Sequence, residues 1–326
     1  MTKKSLSDIT HQIEEELEVF DGLFKESLKS KVKLVDLVTR YILKQKGKKI
    51  RPLLVLLSSK LCGEINERTY RGAALVELLH TATLVHDDVV DNAETRRKFP
   101  SINAVWKNKI AVLMGDYLLA RGLMLAMDGS DYDFLHVITD TVRRMSEGEL
   151  LQINKTRKLN NDEETYFRII SDKTASLFST CCEIGARASL KEEDKIKNLR
   201  EFGENLGIAF QIRDDILDLI GTNSLFGKPL GGDIKEKKLT LPLIYALKIA
   251  PGSESKKIIT KIKNGATKED INDVINFVQK YNGIEYAEKI AHEYGSKAMQ
   301  NLNTFPHNEA HDGLAALVNF VVERKN

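Results

Sequence analysis

The chain has 326 residues, and its 49 Lys and Arg residues nearly balance 47 Asp and Glu residues, which leaves a formal net charge of +2. This balance argues against a nucleic-acid-binding protein, which usually carries a strongly basic face. Hydrophobic residues make up 42% of the chain, which is enough for a large core and too many for a disordered protein.

Three features predict where the protein works. The cysteines, Cys62, Cys181 and Cys182, form no C-x-x-C pair and predict reduced thiols in the cytosol. The first 20 residues mix charges of both signs and lack the apolar stretch of a signal peptide. No uninterrupted apolar run reaches the roughly 18 residues that span a bilayer. The sequence therefore predicts a cytoplasmic protein without a transmembrane segment.

Apolar residues recur at helical spacing along nearly the whole chain. Between residues 286 and 302, one face repeats at the i, i+3, i+4, i+7 rhythm of an amphipathic helix. Thr267 with Asp270 resembles a capping box that opens a helix, and short alternating strands bounded by hairpin turns are absent. We therefore predict one all-α domain over residues 1–326, with a loop rich in glycine and lysine at residues 221–238. Further helical patterns cover residues 5–27, 32–44, 53–61, 69–91, 110–127, 134–154, 163–190, 194–220 and 240–249.

The motif D-D-x-x-D occurs twice, each time on an apolar helical run. With 21 aspartates in 326 positions, about 0.09 copies are expected by chance. On a helix the first and third aspartates of the motif are i, i+4 neighbours with Cβ atoms about 5–6 Å apart, so their carboxylates project from one face. The six aspartates are Asp87, Asp88 and Asp91 in the first motif and Asp214, Asp215 and Asp218 in the second.

Clustered carboxylates need a cation, because two charges about 6 Å apart repel by roughly 3 kcal/mol at an effective dielectric near 20. Mg²⁺ fits best, since it takes oxygen ligands and bridges carboxylates to substrate phosphates. A simpler interpretation is that each motif is a polar helix end paired with nearby Arg or Lys. Acidic and basic groups this close in sequence favour a metal-bound diphosphate as ligand. The basic residues near the first motif are Lys48, Arg51, His80, Arg96 and Arg97.

The sequence resembles the trans-isoprenyl diphosphate synthases, also called polyprenyl synthases. The resemblance implies an all-α bundle around a deep central cavity, with the two aspartate motifs facing each other across its mouth, and a homodimer. The chain departs from the family pattern at Lys98 and Lys237, where glycine is common. Eight stretches match in order: 47–52 (GKKIRP), 80–91 (HTATLVHDDVVD), 96–101 (RRKFPS), 115–120 (GDYLLA), 148–152 (GELLQ), 173–178 (KTASLF), 210–219 (FQIRDDILDL) and 227–242 (GKPLGGDIKEKKLTLP).

The resemblance also implies a role for each matched residue. The six aspartates would hold Mg²⁺, as three ions when substrate is bound, with Mn²⁺ as a substitute. Lys173, Thr174 and Gln211 are the predicted catalytic residues, beside the reacting carbons. The predicted isopentenyl diphosphate site comprises Lys48, Arg51, His80 and Arg97. The predicted allylic diphosphate site comprises Arg96, Lys173, Lys228 and Lys238.

The implied reaction joins isopentenyl diphosphate, head to tail and in trans, to an allylic diphosphate such as farnesyl or geranylgeranyl diphosphate. In the family, bulky aromatic residues just before the first motif stop chain growth early. This chain has the small residues Ala82 and Thr83 there, with Leu79, Val76 and Met124 as deeper walls. We therefore expect a long, octaprenyl-like product of about forty carbons, within a heptaprenyl to decaprenyl range.

Other interpretations remain open. The chain could be a short-chain farnesyl or geranylgeranyl diphosphate synthase. A class I terpene cyclase would share the first motif, but not normally a second one together with Lys48 and Arg51. A non-catalytic subunit of a heteromeric prenyl synthase usually loses one aspartate motif. Residues 77–80 match the Glu-x-x-His of a di-metal carboxylate bundle, but that class needs two copies. A nucleotide-binding enzyme is disfavoured because the sequence has neither a G-x-G motif nor P-loop spacing.

Overall fold

A computed structural model describes residues 6–45, 47, 49–96, 99–160, 162–221 and 230–324. The regular structure of these residues is almost entirely helical, as predicted. A π-helical segment, Ser171–Ala175, joins two of the helices, and the short strands β1 (Thr95–Arg96) and β2 (Phe99–Pro100) pair antiparallel. The α-helices are α1 (Leu6–His11), α2 (Glu14–Ser27), α3 (Lys33–Lys44), α4 (Ile50–Cys62), α5 (Glu67–Val90), α6 (Ile102–Asp128), α7 (Tyr132–Lys158), α8 (Glu163–Ile170), α9 (Ser176–Ser189), α10 (Glu193–Ile220), α11 (Gly232–Lys235), α12 (Leu241–Ile249), α13 (Gly252–Lys263), α14 (Lys268–Lys280), α15 (Gly283–Leu302) and α16 (Glu309–Glu323).

Helical spacing predicted the long elements, and local hydrogen bonds set their ends. Thr267 and Asp270 form the predicted capping box of α14, which is confirmed. Helix α13 was not predicted, because its apolar residues are few, and neither was α16, whose apolar residues surround much of the helix. The sequence shows no alternating strands, and the pairing of β1 with β2 was not predicted because strands of two residues are too short to show alternation.

The described residues belong to two compact units, each with its own apolar core. In the first unit, α5 packs against α4 and α6, and Leu53, Leu54 and Val55 of α4 have no exposed surface. The core of the second unit includes Ile212 of α10 and Val274 of α14, both fully buried. The prediction of a single domain over residues 1–326 stays a prediction. The first unit comprises residues 1–139, 180–200 and 304–316, and the second comprises 140–179, 201–303 and 317–326.

Gly185 on α9 permits a close approach to α4 within the first unit. A Cβ at this position would lie 2.3 Å from the backbone oxygen of Val55, a contact that no side-chain rotation relieves. We therefore expect Gly185→Ala to lower the free energy of unfolding by about 2–3 kcal/mol, as overpacking typically does. Gly22→Ala in α2 is the matched control, since its Cβ would meet nothing within 4 Å, and it should stabilise the helix by roughly 0.5–1 kcal/mol. Urea unfolding measures both, and equal effects would contradict the packing described.

Helix α6 is the one described helix that is long and apolar enough, by length and composition, to span a bilayer. No uninterrupted apolar run in α6 is that long, because Lys109, Asp116 and Arg121 interrupt it. Core helices of soluble proteins meet the same criterion, but only 33% of the most apolar window of α6 is buried. The exposed large apolar side chains of α6 are Val105, Val112, Leu113, Met124 and Met127.

Candidate active site

The first aspartate motif lies at the carboxyl end of α5 in the first unit. A capping box of Asn66 and Thr69 opens this helix. Asp87 is half-buried on its last turn, and Asp91, its C-cap, is exposed. The two carboxylates are therefore i, i+4 neighbours at the end of the helix, as the spacing predicted.

Asp88, between them, has a different environment. It is 2% exposed, and it accepts a hydrogen bond of 2.6 Å from Nε of Arg96 on β1. Burial raises the pKa of Asp88, and the nearby Arg96 guanidinium lowers it in part. Asp88 is therefore paired with a basic residue at the helix end, as the simpler interpretation of the motif expects. The pairing also holds the side chain of Arg96, a residue predicted to bind the allylic diphosphate.

Two of the four residues predicted to bind isopentenyl diphosphate lie in the first unit of the described structure. Arg51 is half-buried in the first turn of α4, and His80 is 7% exposed on α5, two turns before Asp87 on the same face. Their helices pack against each other. The other two, Lys48 and Arg97, lie outside the described residues, as do Lys98 and Lys228.

The second motif lies near the carboxyl end of α10, in the second unit, and each aspartate has its own partner. Asp214 pairs with the guanidinium of Arg324, near the C-terminus. The carboxylate of Asp218 accepts hydrogen bonds of 3.1 Å from the backbone amides of Gly232 and Asp233, which begin α11. Asp218 therefore anchors the end of the loop at residues 221–238 to α10.

Asp215 is the centre of a buried hydrogen-bond chain. Its carboxylate accepts bonds from the Tyr166 hydroxyl at 2.7 Å and from Nε2 of Gln211 at 2.8 Å. Oε1 of Gln211 in turn accepts a bond of 2.9 Å from the Thr174 hydroxyl. Two predicted catalytic residues and one predicted metal ligand are thus connected directly.

The charge around Asp215 fits a divalent cation. Burial and then the negative charge of Asp233 raise the pKa of Asp215 to about 8. A cation among these carboxylates would offset both effects, because it favours their ionised forms. The donors offered by the second motif are carboxylate oxygens, which suit Mg²⁺ rather than softer metals. The residues present therefore fit the predicted ion.

Lys173 and Thr174 lie on the π-helical segment between α8 and α9. Such segments interrupt the α-helical hydrogen bonding and are frequent at functional sites. Lys173 forms an ion pair with Glu149 of α7. Behind the segment, the Arg144 guanidinium donates bonds of 2.9 Å to Asp172, to the Ser171 hydroxyl and to Glu204 of α10. The segment is therefore tied to the helices on either side of it.

A pocket of about 110 Å³ in the second unit brings the predicted residues together. Five residues named from the sequence line it, namely Lys173, Thr174, Gln211, Asp215 and Lys238. The remaining polar residues of the pocket were assigned no role from the sequence, although Gln152, Asp233, Lys237 and Thr240 lie in stretches that match the family. These remaining residues are Gln152, Lys155, Thr156, Tyr166, Asp233, Lys237 and Thr240.

Lys237, where the family commonly has glycine, has a left-handed backbone with a φ of 59°. Glycine adopts this conformation without the steric cost that a Cβ brings. The side chain of Lys237 donates a hydrogen bond of 2.8 Å to the backbone oxygen of Lys263. Lys237 therefore adopts the backbone conformation that a glycine would favour, although it departs from the family pattern.

The residues predicted to set product length are buried or half-buried on α5. Val76, Leu79 and Ala82 are at most 2% exposed. Thr83 is half-buried, and its hydroxyl donates to the backbone oxygen of His80 at 2.9 Å. Met124, proposed as a deeper wall, is 49% exposed on α6.

Thr83 and Ala82 point in different directions. Thr83 precedes Asp87 by four residues, so it lies one turn from the motif on the same face, whereas Ala82 is rotated by about 100°. The side of α5 that faces α6 is marked by Leu75 and His86, which approach glycines of α6. Ala82 lies on that side, seven residues after Leu75, so Thr83 is the better placed of the two to contact a chain growing below Asp87.

Comparisons with known proteins identify the family of the chain. A family model described as polyprenyl synthetase matches residues 32–278. An all-trans-nonaprenyl-diphosphate synthase from Rhodobacter capsulatus is 36% identical over 97% of both chains. Heptaprenyl diphosphate synthase component 2 from Bacillus subtilis is 35% identical over 96% of this chain and 89% of that relative. A geranylgeranyl diphosphate synthase from Saccharolobus solfataricus is 35% identical over 92% and 93%.

Solved structures give the same result. A polyprenyl synthase from Caulobacter crescentus, complexed with calcium and isoprenyl diphosphate, superposes with a TM-score of 0.93 at 31% identity, covering 100% of both chains. The family match and the all-α fold therefore agree. The chain belongs to the polyprenyl synthetase family, the Mg²⁺-dependent trans-prenyltransferases that make isoprenyl diphosphates.

Proposed function

We propose that this chain condenses isopentenyl diphosphate with farnesyl or geranylgeranyl diphosphate to make a long-chain all-trans polyprenyl diphosphate of about forty carbons. The observation that carries the proposal is the pocket of the second unit, where Lys173, Thr174, Gln211, Asp215 and Lys238 meet. Two cationic side chains beside a buried carboxylate suit a diphosphate bound through a divalent ion.

The aspartates of the two motifs would hold Mg²⁺, three ions with substrate bound, and Mn²⁺ would substitute. When bound, Mg²⁺ offsets the charge of the departing diphosphate. Lys173 and Lys238 bind the oxygens of the allylic diphosphate and stabilise the negative charge that grows as its carbon–oxygen bond breaks. Lys48, Arg51, His80 and Arg97 bind isopentenyl diphosphate, whose double bond attacks the allylic cation.

We propose that Thr174 and Gln211 act beside the carbons that form the new bond. The Thr174 hydroxyl donates a hydrogen bond to Gln211, and Gln211 donates one to Asp215. The oxygen of Thr174 therefore keeps a lone pair directed away from its hydrogen bond to Gln211. These oxygen dipoles favour positive charge on the reacting carbon. The proton that leaves after bond formation passes to the released diphosphate, which is the strongest base beside it.

Arg144 holds the π-helical segment that carries Lys173 and Thr174. We expect Arg144→Met to lower kcat by about 10–100-fold with little change in KM for isopentenyl diphosphate, since a misplaced catalytic group costs that much. Arg144→Lys keeps the positive charge but not the set of hydrogen bonds that the guanidinium donates. Its kcat should lie between those of the unaltered chain and of Arg144→Met. Within the described part of the chain, the neighbouring Arg143 pairs with Asp140 and Glu147 on the exposed side of α7, so Arg143→Met is the matched control. Equal kcat for the two methionine variants would contradict this positioning.

We also propose a cytoplasmic homodimer. The exposed apolar side chains of α6 would pack against a second copy, because an apolar surface of this kind on a soluble protein usually marks an interface. A heteromeric partner is the alternative, since one relative is named as component 2 of a two-component synthase. Light scattering of the purified chain separates a dimer from a lone subunit.

Pyrophosphate release by the purified chain tests the reaction. With Mg²⁺ and farnesyl diphosphate, we expect release only when isopentenyl diphosphate is added, and none with a chelator. Release from the allylic diphosphate alone would indicate a terpene cyclase. No release under any condition would indicate a non-catalytic subunit.

A further inference from the structure

Two histidines and an aspartate lie together at the start of α16, in the first unit. Their potential ligand atoms, on His307, His311 and Asp312, are all within 4.8 Å of one another. Nδ1 of His311 lies 3.9 Å from Oδ1 of Asp312, and the centroids of the two imidazole rings are 4.1 Å apart. None of the three belongs to the residues assigned above to the prenyl transfer reaction.

The cap of α16 explains how the three side chains meet. Oδ1 of Asn308 accepts a hydrogen bond of 2.9 Å from the backbone amide of His311, so the chain turns into the helix between the two histidines. His307 thus comes before the helix and His311 lies in its first turn. His307 and Asp312 are exposed, whereas His311 is 3% exposed.

The buried histidine is the second observation. Neither ring nitrogen of His311 has a hydrogen-bond partner among the described residues. Buried polar atoms are normally satisfied, and the unprotonated ring nitrogen of a neutral imidazole has a lone pair that can bind a metal ion. Among the His, Cys, Asp and Glu side chains of the described residues, those of His307 and Asp312 group with His311 at this distance.

We propose that His307, His311 and Asp312 form a binding site for a divalent ion of the Zn²⁺ type. Two imidazoles with one carboxylate suit Zn²⁺ and Cu²⁺, whereas carboxylates and water suit Mg²⁺. Ligand atoms at about 2.0–2.1 Å from a tetrahedral ion lie roughly 3.3 Å apart. The present spacing therefore needs a closure of up to about 1.5 Å, which rotation of the exposed side chains of His307 and Asp312 would supply.

The ion would link residue 307, before the helix, to the first turn of α16. It would bind the folded chain and not the unfolded one, so it raises the temperature of unfolding. Its ligand set also separates it from the aspartate motifs, which offer oxygen alone. The site does not depend on the proposed prenyl transfer.

Cu²⁺ alone, added below one equivalent to the full-length chain without an affinity tag, is the probe. Pulsed electron paramagnetic resonance should show coupling to two imidazole rings, since Cu²⁺ binds such sites more tightly than Zn²⁺. His307→Ala should remove the second imidazole and weaken binding at least about tenfold. His292→Ala, which removes an exposed histidine of α15, is the control and should change nothing. Zn²⁺ should raise the unfolding temperature of the unaltered chain more than that of His307→Ala or Asp312→Asn.

Two results would overturn the site. One is an oxygen-only copper signal, which would place the ion on the aspartate motifs. The other is an unchanged two-imidazole signal in His307→Ala. Both measurements read metal binding, so their outcome is independent of whether the chain has prenyltransferase activity.

Discussion

Asp91→Asn should lower kcat/KM by about 10³-fold, which corresponds to roughly 4 kcal/mol of transition-state stabilisation. Asp91 is exposed at the carboxyl end of α5, so its carboxylate has little role in packing and its proposed role is to hold the metal. The same change should slightly stabilise the fold, by about 0.3–1 kcal/mol, because a negative charge at a helix C-terminus is unfavourable. Steady-state kinetics with saturating Mg²⁺ and urea unfolding measure the two effects.

Asp128→Asn is the matched control for this prediction. Asp128 is also an exposed aspartate at a helix C-terminus, that of α6, so it should show the same small stabilisation with unchanged kinetics. A stable Asp91→Asn variant that keeps most of its activity would remove the first motif from the account. Loss of activity together with loss of stability would instead assign Asp91 a structural role.

Thr83→Phe should shorten the product by at least about two isoprene units. Thr83 lies one turn below Asp87 on the same face of α5, so a phenyl ring there would add bulk where a growing chain would extend. Ala82→Phe should also shorten the product, but less, because Ala82 lies on the side that faces α6. Chromatography of the dephosphorylated products, with farnesyl diphosphate as primer, gives the lengths.

Thr139→Phe on α7 is the control for the chain-length prediction. Thr139 is exposed and donates its hydroxyl to backbone oxygens of its own helix, as Thr83 does, so the two changes remove the same kind of hydrogen bond. It should leave product length unchanged. An unchanged product from Thr83→Phe with normal turnover would show that the tail does not extend past this residue.

The fold and the family could be predicted from sequence, because the helices follow from hydrophobic spacing and the family from the matched stretches. Helical periodicity gave α5 and α10, and D-D-x-x-D gave the carboxylates at their ends. The partners of those carboxylates could not be predicted, because they come from distant parts of the chain. Tyr166 reaches Asp215 across 49 positions and Arg324 reaches Asp214 across 110, and neither residue belongs to a motif.

Asp88 shows a second limit. The motif treats its first two aspartates alike, yet Asp87 is half-buried on the helix face of Asp91, whereas Asp88 is buried against Arg96. The difference arises because successive residues of a helix are rotated by about 100°. It also depends on β1, which pairs with β2 and carries the Arg96 that contacts Asp88. Similarly, the π-helical segment that carries Lys173 could not be predicted, because it has no hydrophobic periodicity of its own in the sequence.

The length of the product made by the unaltered chain tests the central claim most directly. Purified protein with Mg²⁺, farnesyl diphosphate and labelled isopentenyl diphosphate should give a series of dephosphorylated alcohols that ends near forty carbons and disappears with a chelator. A series that stops at twenty carbons or fewer would contradict the small-residue argument at Ala82 and Thr83. Label incorporated in the presence of chelator would contradict the assignment of the aspartates.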